Sequence, residues 1–373
     1  VAEYRVGRYD YPGQLPGLDD ELLPSIRETL LRGDYVLGAA VDRFEHAFAS
    51  YLGARHAVGV NSGTDALILA LHALGIGPGD EVITVANTFH ASAQAVVRVG
   101  ATPVLADCGP GDYLIDLEQA EAAITDRTRA VLVVHLFGQS VDMAAAHALA
   151  KRHDLLVLED CAQAIGAYSG GVRVGTTSDA GCWSFAPSKN LAAAGDAGAI
   201  SLGGADADRL AAVLRRLRHF GQDKQNEHRV VGFNSRLDTL QALVLGHKLP
   251  QLDEWTARRV AVAAEYRERL AGLPVSFQDG AGAGEHVYHL FQLRTERRDE
   301  LLAHLREAGV DAVVRYPHPI HLQEAFAFLG HRRGDFPVAE DLAGTTLCLP
   351  LFPSMTADQV SLVCDGVREF FAR

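Results

Sequence analysis

Three short segments hold residue types that could do covalent chemistry together. In SFAPSKN, Lys189 follows the apolar run GCWSF (181–185) by a few residues and sits among Phe185, Ala186 and Pro187. An amine held near apolar groups and a second cation has a lowered pKa and can attack an aldehyde. Loop lysines are usually just solvated. Lys189 stands apart because it comes 29 residues after Asp160, beside Ser184, and before the Gly-rich segment GDAGAI. Asp160 closes the apolar run LLVLED (155–160). A carboxylate there is costly to bury unless a cation faces it, and a protonated pyridine nitrogen is one such cation. Capping the next helix is its plainer use. In NSGTDAL (61–67), small residues and hydroxyls open an apolar helix. Free N–H groups and the positive dipole end at such a start suit a phosphate, although a helix cap at Ser62 or Thr64 is the plainer reading of this motif alone.

These segments need a frame that brings them together. From about residue 55 to 205, apolar runs alternate with helical patterns: HAVGV (56–60), EVITV (81–85), TPVLAD (102–107), AVLVVH (130–135), LLVLED and GCWSF. Runs rich in Val, Ile and Leu suit strands buried on both faces, so the alternation predicts an α/β fold with a mainly parallel sheet. Ligands bind such sheets at the carboxyl ends of the strands, where the three segments fall. A helical stripe of Leu252, Trp255, Val262, Tyr266 and Leu270 follows and reads as a connector. Beyond it, VYHLFQLRT (287–295) and DAVVRY (311–316) read as strands, with a helix from about 298 stopped by Gly309 and a final helix capped by Thr356 and Gln359. The expected division is a large domain over 1–248 and a small α+β domain over 249–373.

Composition excludes several classes. The net charge of −13 argues against nucleic-acid partners, which need clustered Lys and Arg. No run approaches ~18 apolar residues and no basic n-region precedes an apolar run at the start, so the expectation is a cytoplasmic protein with no membrane span. The five cysteines have no paired metal spacing and read as buried free thiols.

Taken in order, YVLGAAVDRFEHAFASYLG (35–53), NSGTDAL, GDEVITVANTFHAS (79–92), VVHLFGQSVDM (133–143), EDCAQAIGA (159–167), WSFAPSKNLAAAGDAGAI (183–200), GFNSRLDTLQA (232–242), RYPHPIHLQ (315–323) and LPLFPSMT (349–356) resemble the sugar aminotransferases of the DegT/StrS family, which have the fold-type I architecture and use pyridoxal phosphate. The resemblance implies that Lys189 carries the cofactor as an imine and that Asp160 keeps its pyridine nitrogen protonated. It places Gln163 near the ring hydroxyl and Phe89 on the ring face. It assigns the phosphate to Gly63, Thr64, Ser184 and Asn234, the last reaching in from a neighbouring subunit, which implies a homodimer with shared sites. Tyr316 and His321 would face substrate, although a lone His is more often structural.

By the same resemblance, L-glutamate is the amino donor and the acceptor is a nucleotide-linked keto-deoxysugar. KNLAAAGDAGAI is similar to the KNLGALGDGGAI pattern of members acting at carbon 3 of dTDP-linked 3-keto-6-deoxyhexoses, with Ala192 and Ala197 in place of glycines. A dehydratase of this fold would have histidine where Lys189 stands. A ketocyclitol aminotransferase and a non-catalytic regulatory protein of the same fold are the alternatives.

Overall fold

The computed structural model describes residues 4–373. Helices α1 (Leu23–Arg32) and α2 (Ala39–Leu52) lead into β1 (His56–Val60), α3 (Gly63–Ala73), β2 (Glu81–Val85), α4 (His90–Arg98), β3 (Thr102–Ala106), α5 (Leu117–Ala122), β4 (Thr128–Val134), α6 (Met143–His153) and β5 (Leu156–Asp160). A small hairpin of β6 (Tyr168–Ser169) and β7 (Val172–Arg173) precedes β8 (Ala180–Ser184), β9 (Gly198–Leu202) and α7 (Ala207–Leu217). After a second hairpin of β10 (Gln222–Lys224) and β11 (Glu227–His228) come α8 (Thr239–Lys248) and α9 (Leu252–Arg269). The chain ends with β12 (Ser276–Phe277), β13 (Phe291–Arg294), α10 (Arg298–Glu307), α11 (Pro337–Thr345), β14 (Thr346–Leu349) and α12 (Ala357–Ala372).

The six runs expected to be strands join one sheet in the order β1-β9-β8-β5-β4-β2-β3. Five neighbours from β8 to β3 pair in parallel. The seventh strand, β9, was hidden in sequence by its Gly-rich start, and it runs antiparallel to both β1 and β8. Both faces are covered, as the unbroken apolar runs require. Val82, Leu132 and Leu158 pack beneath α3 and α7 through Leu67, Leu71 and Leu214. Ile83, Val131 and Val157 pack on the other side with Met143 and Leu149 of α6 and Leu342 of α11. A third cluster gathers Phe44 and Phe48 of α2 around Trp183 and Phe185, with Phe48 and Phe185 rings 5.2 Å apart.

The C-terminal part differs from its sequence reading in two places. Of VYHLFQLRT only Phe291–Arg294 is strand, pairing antiparallel with β12 and β14. DAVVRY forms no strand. Val310 bridges Val6 and Val313 bridges Cys348, and the chain then turns so that Arg315 and Tyr316 line a cavity. Alternating residues there serve a site rather than a sheet face, which period alone does not distinguish. Two helix expectations hold: α10 ends ahead of Gly309 at φ +86°, and Thr356 and Gln359 form the reciprocal capping box of α12. On α9 the apolar stripe also buries Arg259, which donates to the Leu351 carbonyl at 2.9 Å, and burial lowers its pKa to about 10. No helix among the described residues is long and apolar enough to cross a membrane, and all five cysteines are buried and unpaired.

Candidate active site

A cavity of about 330 Å³ lies at the carboxyl ends of β5 and β8 and the start of α3. Gly63, Thr64, Phe89, Asp160, Gln163, Ser184, Lys189 and Tyr316 all line it. Residues more than 250 positions apart in sequence thus meet where a doubly covered parallel sheet presents its strand ends.

The order of each strand end determines which side chain faces the cavity. Successive β5 side chains point to opposite faces, so Asp160 enters the cavity and Glu159 turns away to meet His135 Nε2 at 2.9 Å. Burial works to raise the Glu159 carboxyl, but the His135 contact brings it below its ordinary value. The Val141 N–H donates to His135 Nδ1 at 3.0 Å, so both imidazole nitrogens are engaged. Asp160 is held from two sides: Ser92 Oγ donates to Oδ2 at 2.8 Å, and the Ala162 N–H donates to Oδ1 at 3.1 Å. Thr88 Oγ1 lies 3.0 Å from Ser92 Oγ and extends the network.

Lys189 sits in the turn after β8, where its N–H donates to the Ala186 carbonyl at 2.8 Å. Burial lowers its pKa to about 8; Asp160 pulls it back up, and the Arg315 guanidinium pushes it down. The apolar setting and second cation expected from sequence are therefore present, and the second cation is Arg315. His289 also lines the cavity, held well below its ordinary pKa by burial and then by the Lys189 charge, with Nδ1 3.2 Å from Asn190 Oδ1.

At the other end, Ser62 caps α3, accepting from the Asp65 N–H at 3.1 Å. The cap reading of Ser62 is thus realised, and it leaves Gly63 and Thr64 at the first turn, facing the cavity. A Cβ on Gly63 would lie 2.6 Å from Ser184 Cβ, so only glycine lets the helix start approach that hydroxyl. A helix N-terminus with a serine hydroxyl beside it is an anion cradle.

The cavity wall is completed by a fixed amide. The Phe137 N–H donates to Gln163 Oε1 at 2.7 Å, which settles the amide orientation, and Nε2 then donates to the Tyr316 hydroxyl at 2.9 Å. Phe89, the N-cap of α4, is 42% exposed, with its ring 5.5 Å from that of Tyr316. Burial raises the Tyr316 pKa, while Arg315 pulls it down.

Two expected residues are elsewhere. His321 is 3% exposed and pairs with Glu340 Oε1 at 2.9 Å, its ring 4.8 Å from Phe336 and away from the cavity. α11, which sequence reading did not identify, covers it. Asn234 is exposed on its own chain, its backbone bridged to His219. Of the two alanines that replace glycines, Ala197 lines the cavity and Ala192 does not; the Ala192 carbonyl accepts from Lys248 Nζ at 2.9 Å. Arg315, His289, Ser92 and Tyr9, the last also lining the cavity, were not singled out in sequence; only Arg315, beside Tyr316, lay next to a residue that was.

An amine of lowered pKa, a buried carboxylate across from it and an anion cradle fit pyridoxal phosphate, which offers an aldehyde, a basic ring nitrogen and a phosphate. The family model for the DegT/DnrJ/EryC1/StrS aminotransferase family matches residues 16–368. The chain belongs to this family. Among DegT/DnrJ/EryC1/StrS relatives, it is 45% identical to a dTDP-3-amino-3,4,6-trideoxy-alpha-D-glucose transaminase of Streptomyces venezuelae, over 99% of this chain and 97% of that one. It is 43% identical to a protein of Geobacillus stearothermophilus named a pleiotropic regulatory protein, over 97% of each. The solved structure of S. venezuelae DesV in complex with a ketimine intermediate is similar at a TM-score of 0.96 and 45% identity, covering 99% of both chains. The DegT/DnrJ/EryC1/StrS fold is thus matched along its length, including every segment that reaches the cavity.

Proposed function

We propose that this aminotransferase uses pyridoxal phosphate to move an amino group from L-glutamate to a nucleotide-linked keto-deoxysugar, a dTDP-linked 3-keto-6-deoxyhexose being the acceptor most in keeping with its relatives. The observation that carries the reading is the meeting of Lys189, Asp160 and the Gly63–Ser184 cradle in one cavity. When bound, the cofactor supplies an aldehyde that accepts an amino group and a ring that withdraws electrons from the carbon losing a proton. Asp160, its carboxylate held by Ser92 and Ala162, keeps a proton on the ring nitrogen. With the cofactor bound, the Lys189 amine would move a proton from the donor's α-carbon, and a pKa of about 8 suits a base working near neutrality. Gly63, Thr64 and Ser184 hold the phosphate, with Asn234 of a second copy completing the cradle. Gln163 holds the ring hydroxyl and Phe89 covers the ring face. Arg315 supplies a cation for the carboxylate of the amino donor, in a cavity whose only carboxylates among the described residues are Asp160 and Asp196.

The enzyme works as a homodimer with shared sites. Val230 and Val231, 45% and 92% exposed, follow the β10–β11 hairpin close to Asn234 and offer apolar surface to a partner. Five unpaired buried thiols accord with the reducing cytoplasm. A regulatory protein without catalysis needs none of the cavity groups, yet Lys189, Asp160, Gln163 and Ser184 all line the cavity.

Purified protein should be yellow, and borohydride reduction should leave a phosphopyridoxyl mass on the peptide containing Lys189. A colourless protein that takes up no cofactor when supplied with it would sink the reading. Glutamate-dependent turnover across dTDP- and UDP-linked keto sugars and ketocyclitols, with products read by mass spectrometry, tests the acceptor.

A further inference from the structure

Glu159 is a buried acid that the proposed chemistry leaves unused, one residue before Asp160 on β5 and on the opposite face of the strand. Its side chain and that of His135 are both wholly buried. Oε2 accepts from the Gly175 N–H at 2.7 Å and faces His135 Nε2 at 2.9 Å. The other side of the imidazole determines where its proton sits. Nδ1 accepts from the Val141 N–H at 3.0 Å and so carries no proton; the ring proton is on Nε2, and the imidazole is neutral. Glu159 is therefore paired with a donor and not with a cation, and the pair keeps a net negative charge. Nothing close by cancels it. Cys161 Sγ lies within 4.8 Å of the Glu159 carboxylate, and Cys182 pairs with Asp160 across the β5–β8 ladder. Burial first, and then the charges of Glu159 and Asp160, push both thiols well above their ordinary pKa, so they stay protonated and neutral. Among the described residues the only ion-pair partner of Glu159 is His135. A charge buried in this way reaches further than an exposed one, because little water or salt screens it.

We propose that Glu159 is a positioning residue whose uncompensated charge, fixed behind Asp160 by His135 and Gly175, adds to the hold that Asp160 has on the ring proton of the cofactor. The inference rests on the pyridoxal phosphate reading and goes beyond it by assigning a second carboxylate to the same proton. Each negative charge near a cationic site favours its protonated form, so two fixed carboxylates keep the ring nitrogen protonated more firmly than one.

Glu159→Gln tests it. Oε1 has no partner, so an amide nitrogen can stand there while the amide oxygen goes on accepting from Gly175 and His135. The whole chain, freed of cofactor, is titrated with pyridoxal phosphate and with an analogue that has CH in place of the ring nitrogen, and uptake is followed by absorbance. Loss of the charge should weaken binding of pyridoxal phosphate by roughly tenfold, the scale of one unit charge acting at an effective dielectric constant of about 20, and should leave binding of the analogue within about twofold. A purely structural role would weaken both alike. Equal weakening of the two, or no weakening of either, overturns the inference while leaving the cofactor reading in place. Refusal of pyridoxal phosphate by the unaltered chain overturns the cofactor reading and this inference with it. Should thermal melting show that Glu159→Gln does not fold, His135→Leu combined with Glu159→Met replaces the pair by apolar groups, which a buried pair tolerates better than the loss of one partner, and the same comparison decides.

Discussion

Lys189 owes its depressed pKa first to burial and only then to Arg315, with Asp160 opposing both. Burial penalises the ammonium form, so the folded protein gives up that proton near pH 8 while the unfolded chain keeps it to about 10.5. The sign follows: between those values the unfolded state binds more protons, and this group's contribution makes stability rise with pH there; below pH 8 its penalty is fully present. Competitive acylation of cofactor-free protein, read by peptide mass spectrometry, should give Lys189 a labelling midpoint near 8. A midpoint like that of surface lysines would mean that the amine is solvated. At the same scale, Asp160→Asn should lower kcat by about 10²–10⁴-fold, because an amide cannot hold the ring proton. Arg315→Gln should raise KM for L-glutamate by roughly tenfold or more, the worth of one charge-assisted hydrogen bond, with a smaller change in kcat. A KM left untouched would remove Arg315 from donor recognition.

Secondary-structure elements position these residues through a few buried polar ties. Asp107, just beyond β3, accepts from the Val338 N–H at 2.9 Å and the Ala339 N–H at 2.8 Å, fastening the start of α11 to the sheet. That tie connects residues 231 and 232 apart in sequence, so no local pattern announces it. Asp107→Ala would leave two helix-end donors unpaired in a buried place, which costs about 1–3 kcal/mol. Chemical denaturation should show that loss, and a midpoint unchanged from the parent would show that the helix start is satisfied another way. Glu45 makes a similar tie for β1. Its Oε1 accepts from the Gly59 N–H at 2.8 Å and from the Arg218 guanidinium, which also donates to the Gly59 carbonyl at 2.7 Å. By contrast, the α3 start was legible because its cap lies three residues from the N–H it binds.

At the scale of the whole molecule, the site stands at the carboxyl edge of a sheet covered on both faces, and a second copy is expected to complete it. Asn234 lies exposed and outside the lining of its own chain's cavity. Dimers mixed from Asn234→Ala and Lys189→Ala chains should recover roughly half the activity of the parent dimer, since one of the two shared sites would then be intact. No recovery beyond that of the single variants would confine Asn234 to its own chain. The net charge of −13 predicts no affinity for nucleic acid, and filter binding at physiological salt checks this directly.

Sequence alone determined what is local in origin. Apolar runs buried on both faces specify parallel strands, chemically distinctive residues follow those runs, and a capped helix start exposes its own N–H groups. Lys189, Asp160 and the Gly63 segment were legible for those reasons. Tertiary structure decided what depends on distant partners. His321 turned out to be paired with Glu340, Arg315 became the second cation in the cavity, and DAVVRY was drawn out of strand pairing to serve it. The physical reason is that a side chain's type records what it can do, whereas its pKa, exposure and partners depend on groups brought beside it only when the chain folds.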